Sequence, residues 1–88
     1  MKQTTERAYL LYGEKHQLMK AAEECSELAA AINRYLIGDG TDYEVEQEAA
    51  DVIICLEYLK MHFGAENIQG QVEAKLDRLD RKMKGAGA

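Results

Sequence analysis

Apolar residues recur three and four positions apart through two long segments of this chain, residues 14–37 and 42–63. At about 100° of rotation per residue, this spacing places them on one side of an α-helix. No segment shows the alternation of apolar and polar residues that a half-buried strand would have, and the chain contains no proline. The pattern predicts an all-α fold whose two central helices pack through their apolar stripes.

Both central segments carry a pair of carboxylates at the edge of the apolar stripe. Glu24 and Glu27 are three positions apart in the first segment, and Glu48 and Asp51 repeat that spacing in the second. Residues three apart are neighbours on one helix face. If the two stripes pack against each other, we expect the four carboxylates to meet along one seam.

Carboxylates that meet in this way repel one another. Two unit charges about 4 Å apart repel by roughly 4 kcal/mol at an effective dielectric constant near 20. A divalent cation removes this cost, and Mg²⁺ commonly joins a few carboxylates to substrate phosphates. The alternative, which the spacing leaves open, is that these acids are ordinary solvated charges on helix surfaces.

Glycines divide the chain into four predicted helices. The predicted ranges are residues 5–12, 14–37, 42–63 and 66–83, followed by a frayed tail at 85–88. Gly13 is expected to end the first helix. Thr41 and Glu44 have the spacing of a capping box, which places the start of the third helix at residue 42 or 43. Connections this short predict an antiparallel bundle in a single domain, residues 1–84.

Size and composition predict self-association in a reducing compartment. A chain of 88 residues buries only a little over ~60% of its unfolded surface, so we expect homo-oligomerisation to complete the core. Cys25 and Cys55 fall on the apolar stripes and match no zinc spacing, so both are predicted to be small core residues. The amino terminus lacks a signal-peptide hydrophobic segment, so a cytoplasmic location is expected.

Charge and hydropathy argue against two classes of partner. The net charge of -5 argues against a protein that grips a nucleic-acid polymer. No apolar run approaches the ~20 residues that a membrane-spanning helix needs.

The last predicted helix carries a row of cations. Lys75, Arg78 and Lys82 recur at spacings of three and four, which places them along one side of the helix. Folded against the carboxylate seam, they would offer positive charge to a phosphate chain, and arginine can hold phosphate oxygens in a bidentate manner. Acidic residues are interleaved with them, so a solvated mixed-charge surface is the alternative.

The order of these residues resembles the MazG-like, all-α nucleoside triphosphate pyrophosphohydrolases, in particular the small single-domain members found in bacteria and their phages. The motifs that carry the resemblance are Gln17, Glu24-x-x-Glu27, Glu48-x-x-Asp51 and Lys75-x-x-Arg78. Together they cover most of the chain, from residue 17 to about residue 82.

The resemblance implies a reaction and a role for each motif. The four acids Glu24, Glu27, Glu48 and Asp51 would hold Mg²⁺ or Mn²⁺. By position, a carboxylate that the metal does not fully engage, Glu24 or Glu27, would be the catalytic base, with Glu23 as a further candidate. Gln17 would line the nucleotide pocket, and Lys75 and Arg78 would contact phosphates. The enzyme would cleave a nucleoside triphosphate between the α and β phosphates, giving a monophosphate and pyrophosphate. It would work as a homodimer or homotetramer.

Two other interpretations stay open at this point. One is the related phosphoribosyl-ATP pyrophosphohydrolase, which uses similar helical acids on a different nucleotide. The other is a non-catalytic helical dimerisation or adaptor module whose acids only decorate its surface.

Overall fold

Four α-helices follow one another along the chain with short connections. The computed structural model describes residues 1–87, and its helices are α1 (Lys2–Tyr12), α2 (Glu14–Leu36), α3 (Asp42–Phe63) and α4 (Ala65–Gly85). Residues 1–87 contain no strand, which confirms the all-α prediction. None of these helices combines the length and the apolar character needed to cross a membrane.

The helix boundaries agree with the predicted ones to within a few residues. α1 begins at Lys2 rather than near residue 5, because the Thr5 backbone N–H donates to Met1 O at 3.0 Å and closes an earlier turn, where the Thr5 hydroxyl also donates to Lys2 O at 3.0 Å. At the other end, Gly85 still belongs to α4, and residues 86 and 87 form a turn. The predicted tail therefore begins later than expected, and its last residue, Ala88, lies outside the described residues.

Single glycines separate α1 from α2 and α3 from α4. Gly13 has a φ of 94° and Gly64 a φ of 96°. A positive φ is uncommon for residues with a side chain, so glycine allows the chain to change direction within one residue. At Gly64 a Cβ atom would also lie 2.8 Å from Asn67 Nδ2.

The start of α3 is fixed by a cap and an ion pair. The Glu44 backbone N–H donates to Thr41 Oγ1 at 3.1 Å, as the capping-box spacing predicted. Arg34, in the last turn of α2, donates from Nε to Glu44 Oε1 at 2.6 Å. The cap fixes the first turn of α3, and the ion pair joins the end of α2 to that turn.

α2 and α3 form the main helix pair of the molecule. α1 contacts both of them, while α4 contacts α3 and neither α1 nor α2 in residues 1–87. One set of buried and half-buried residues recurs at spacings of three and four; it consists of Gln17, Ala21, Glu24, Leu28 and Ala31 on α2, and Val45, Glu48, Val52, Cys55 and Leu59 on α3. This seam between α2 and α3 contains two glutamates and a glutamine alongside small and apolar residues.

The seam does not run along the centre of the predicted α2 stripe. Cys25 is exposed, so the prediction that it is a core residue is wrong, whereas Cys55 is buried as predicted. On a helical wheel the centre of the seam lies roughly a quarter of a turn from Cys25. The apolar stripe of α2 is wider than α3 can cover, and α3 covers the edge that includes Glu24.

Candidate metal centre

Three carboxylates meet where α2 and α3 pack together. Glu24 and Glu27 on α2 and Glu48 on α3 each place one oxygen so that the three atoms lie within 4.8 Å of one another. The three-residue spacing puts both α2 acids on adjacent parts of one face, and helix packing brings Glu48 to them from the other side of the seam. We call these residues the acidic group.

The members of the acidic group differ in their exposure to water. Glu24 is 7% exposed, Glu48 is half-buried and Glu27 is exposed. Glu24 Oε2 and Glu48 Oε2 are both buried and have no hydrogen-bond partner among residues 1–87. Buried polar atoms almost always have a partner, so two orphaned carboxylate oxygens at one place call for an explanation.

The electrostatics of Glu24 reflect this burial. Burial raises the pKa of its carboxyl above the ordinary value, opposed by the hydrogen bond from Lys20, while the charges of Glu27 and Asp51 raise it further. Desolvation disfavours the charged form, and like charges act in the same direction. The acidic group therefore carries an electrostatic cost that a cation would relieve.

Lys20 is a neighbour of the acidic group that the sequence analysis did not single out. Its Nζ lies 3.4 Å from Glu24 Oε1. The hydrogen bond and the attraction to Glu24 raise the pKa of the Lys20 ammonium, which keeps it charged. The signal was present in the sequence, because residues four apart on a helix are neighbours.

The other predicted site residues lie at different distances from the acidic group. Asp51 is exposed and its carboxylate is not one of the three clustered ligands, although its charge acts on Glu24. Gln17 is 2% exposed and its Oε1 lies 2.8 Å from His16 Nδ1. In this structure the Gln17 amide is enclosed in the seam and is not open to a nucleotide.

Lys75 and Arg78 are not brought to the acidic group within one chain. Both are exposed on α4, and α4 contacts α3 without contacting α2 in residues 1–87. The ion pairs formed on α4 in that part of the chain, Asp77 with Arg81 and Asp80 with Lys84, involve neither residue.

A second polar cluster, which sequence reasoning missed, joins three helices. His62 Nδ1 lies 3.3 Å from Glu14 Oε1 and 3.4 Å from Tyr9 Oη. These residues come from α3, α2 and α1, so no local spacing could have indicated the cluster. The Tyr9 ring also stacks on the buried Tyr58 ring, with centroids 6.3 Å apart, so the cluster sits at the edge of the small apolar core.

The acidic group fits a hard divalent cation. Its donor atoms are all carboxylate oxygens, which suit Mg²⁺ and Mn²⁺ better than metals that prefer nitrogen or sulfur. The orphaned oxygens of Glu24 and Glu48 would gain a partner at the same time. No protein-family model, curated protein or solved structure matches this chain.

Proposed function

We propose that this protein is a Mg²⁺-dependent nucleoside triphosphate pyrophosphohydrolase. The observation that carries the proposal is the pair of buried, unpartnered oxygens on Glu24 and Glu48 within the acidic group. Solvated surface charge would explain exposed acids such as Asp51, but it does not explain ionisable groups packed into a helix seam. The resemblance to the MazG-like enzymes supplies the reaction.

The acids of the group would hold the cation, with Glu24 and Glu48 as its buried ligands. A bound Mg²⁺ supplies charge neutralisation for the phosphates and orientation of the reacting groups. A cytoplasmic location is part of the proposal, since Cys25 and Cys55 are both free thiols.

Residues of this chain would accept the proton of the attacking water and stabilise the leaving group. Water attacks the α phosphorus, the bond from that phosphorus to the α,β-bridging oxygen breaks, and pyrophosphate leaves. Glu27, the exposed member of the acidic group, accepts the proton of the attacking water. Lys75 and Arg78 stabilise the negative charge that develops on pyrophosphate.

The large exposed surface of the single chain supports the proposal of a homo-oligomer. An antiparallel arrangement of neighbouring helices is also part of the proposal. A compact monomer of 9.9 kDa exposes about 5,200 Å², while this chain exposes 6841 Å². Its radius of gyration is 16.1 Å, against about 12 Å for a compact domain of this length. Burial of the excess, about 1,600 Å² per chain, corresponds to an obligate homodimer interface.

Many of the exposed apolar residues recur at helical spacing on three helices. They include Ala22, Cys25, Ala29, Ile32 and Leu36 on α2, Ile53, Leu56 and Phe63 on α3, and Val72, Leu76, Leu79 and Met83 on α4. Packing of α4 on a second copy would also complete the site. Lys75 and Arg78 do not reach α2 within one chain, so the second copy would supply the phosphate-binding cations.

Pyrophosphate release tests the proposal. The purified protein is incubated with a panel of canonical and modified nucleoside triphosphates and with phosphoribosyl-ATP, with Mg²⁺ or with a chelator. Glu48→Gln removes one buried ligand and is expected to lose nearly all activity. Glu46→Gln is the matched control, because it neutralises an exposed acid on the same helix outside the acidic group.

The outcomes separate the candidate functions. Release of pyrophosphate and a monophosphate by the parent and Glu46→Gln, but not by Glu48→Gln, supports the proposal, and the best substrate names its role. If phosphoribosyl-ATP is the one substrate that is hydrolysed, the protein is a phosphoribosyl-ATP pyrophosphohydrolase instead. If the folded parent neither releases pyrophosphate nor binds Mg²⁺, the pyrophosphohydrolase proposal fails and the interaction module takes its place.

A further inference from the structure

Lys20 already occupies the position of a counter-ion at the acidic group. Its ammonium lies 3.4 Å from Glu24 Oε1, and it forms the one ion pair in residues 1–87 that involves a member of that group. The Glu24 side chain is 9% exposed, whereas the Lys20 side chain is 49% exposed. The carboxylate is therefore buried in the seam, while the long lysine side chain extends to the surface.

A divalent cation bound by Glu24, Glu27 and Glu48 would compete with this lysine. Both cations would use the Glu24 carboxylate, and the charges of the metal and the ammonium repel each other across a few ångströms. Lysine carries its charge on a flexible four-carbon chain, so it can leave the carboxylate without any rearrangement of the backbone.

The surface beside the acidic group has room for the displaced ammonium. A cavity of about 180 Å³ is lined by His16, Met19, Lys20 and Glu23, all on α2. Lys20 lines this cavity and its ammonium also contacts Glu24, so the cavity adjoins the acidic group. A phosphate would replace the carboxylate as its partner, and the ion pair lost at Glu24 would be recovered on the ligand.

We propose that Lys20 exchanges partners during ligand binding: it neutralises Glu24 when the metal is absent, yields that carboxylate to the metal, and then binds a phosphate of the nucleotide. This inference rests on the proposed function. It makes Lys20 a substrate-binding residue supplied by the same chain as the acidic group, in contrast to Lys75 and Arg78.

The test compares Lys20→Met with Lys60→Met. Lys60 is a matched control, because it forms an ion pair with Glu57 at 3.1 Å and its side chain is 47% exposed, but it pairs outside the acidic group. Mg²⁺ binding is measured by calorimetry without nucleotide. Binding of a non-hydrolysable α,β-methylene triphosphate is then measured at saturating Mg²⁺.

Opposite changes in the two affinities are expected for Lys20→Met. Removal of the competing charge should tighten Mg²⁺ binding about tenfold, and loss of the phosphate contact should weaken binding of the triphosphate analogue by about the same factor. Lys60→Met should change neither affinity. Lys20→Arg should bind Mg²⁺ as the parent does, because it keeps the charge.

An unchanged Mg²⁺ affinity in Lys20→Met would overturn the exchange, and so would an unchanged affinity for the triphosphate analogue. If the parent and all variants fail to bind Mg²⁺, the proposed function itself fails, which is a different result. Because both readouts are binding measurements, neither depends on turnover.

Discussion

Replacement of Glu24 by glutamine is expected to stabilise the metal-free protein. This direction is unusual, since most substitutions of buried residues destabilise a fold. Glutamine keeps the shape of the side chain and removes the charge. Its amide also supplies a donor within the acidic group, where Glu48 Oε2 has no partner.

The size of the effect follows from the geometry of the group. The three clustered oxygens lie within 4.8 Å of one another, and at that separation Glu27 and Glu48 each repel Glu24 by about 3.5 kcal/mol at an effective dielectric constant of about 20. The attraction between Lys20 and Glu24 at 3.4 Å offsets about 5 kcal/mol of this repulsion by the same relation. Water screens both effects, because Glu27 is exposed and Lys20 half exposed. The cost of an unpartnered buried oxygen remains, so we expect a gain of about 2 kcal/mol at neutral pH.

Urea denaturation and thermal unfolding in the presence of a chelator measure this gain. An increase of about 2 kcal/mol corresponds to a rise of roughly 8 °C or more in Tm for a single domain of this size. All proteins are compared at one concentration, because association makes Tm depend on concentration. Glu46→Gln, the exposed control, should unfold as the parent does.

Mg²⁺ should reverse the order of stabilities. At 100 times its dissociation constant, a ligand that binds only the folded state adds about 2.7 kcal/mol. The parent should gain this increment, and Glu24→Gln should gain little, because a metal ligand has been lost. A metal-free Glu24→Gln protein that is less stable than the parent would refute the electrostatic reasoning, since it would mean that the ionised carboxylate stabilises the fold.

The pH dependence has a definite sign. The folded protein raises the pKa of Glu24 above its ordinary value of 4.5, so it binds this proton more tightly than the unfolded chain does. The contribution of Glu24 to stability therefore increases as the pH falls from neutral through the raised pKa, and it is complete below 4.5. The free energy of unfolding, measured from pH 8 to pH 4, should contain this pH-dependent contribution in the parent and lack it in Glu24→Gln. An equal dependence of the free energy on pH in both proteins would contradict the prediction.

Three further substitutions test other parts of the molecule. Glu48→Gln should weaken Mg²⁺ binding, measured by calorimetry, more than Asp51→Asn does, because the Asp51 carboxylate lies outside the acidic group; equal losses would contradict this. Thr41→Ala should lower the free energy of unfolding in urea by about 1 kcal/mol through loss of the helix cap, and no loss would refute that role. Leu76→Glu should dissociate the proposed homodimer in sedimentation velocity, while Gln71→Glu, an exposed control on the same helix, should not.

The parts of the fold that depend on neighbouring residues were predictable from the sequence. The glycine at position 13 and the Thr41 cap act within a few residues, so helix boundaries came out nearly right. The exposure of Cys25 was not predictable in the same way. The apolar stripe of α2 is wide enough for two neighbours, and periodicity alone does not say which edge α3 covers.

In the candidate site too, features set by local spacing were predictable and features set by long-range packing were not. The spacing of Glu24 and Glu27 is local, and the packing of α3 on α2 could be expected from their apolar stripes, but the edge of α2 that meets Glu48 could not. The distance between Lys75 and the acidic group was not predictable, because it depends on the direction that α4 takes after the end of α3. The contact of His62 with Glu14 joins residues far apart in the chain and has no local signature.

The composition of the α2–α3 seam has a consequence for how the protein responds to dilution. Small and polar residues such as Ala21, Ala31 and Gln17 fill much of the α2 side, so little apolar area is buried between the two helices of one chain. In the proposed assembly, contacts between copies therefore supply much of the folding free energy. Activity per molecule should then fall at low concentration, because dissociation would both loosen the chain and remove its phosphate-binding cations. Such a protein would hydrolyse nucleotides only above a threshold of its own abundance.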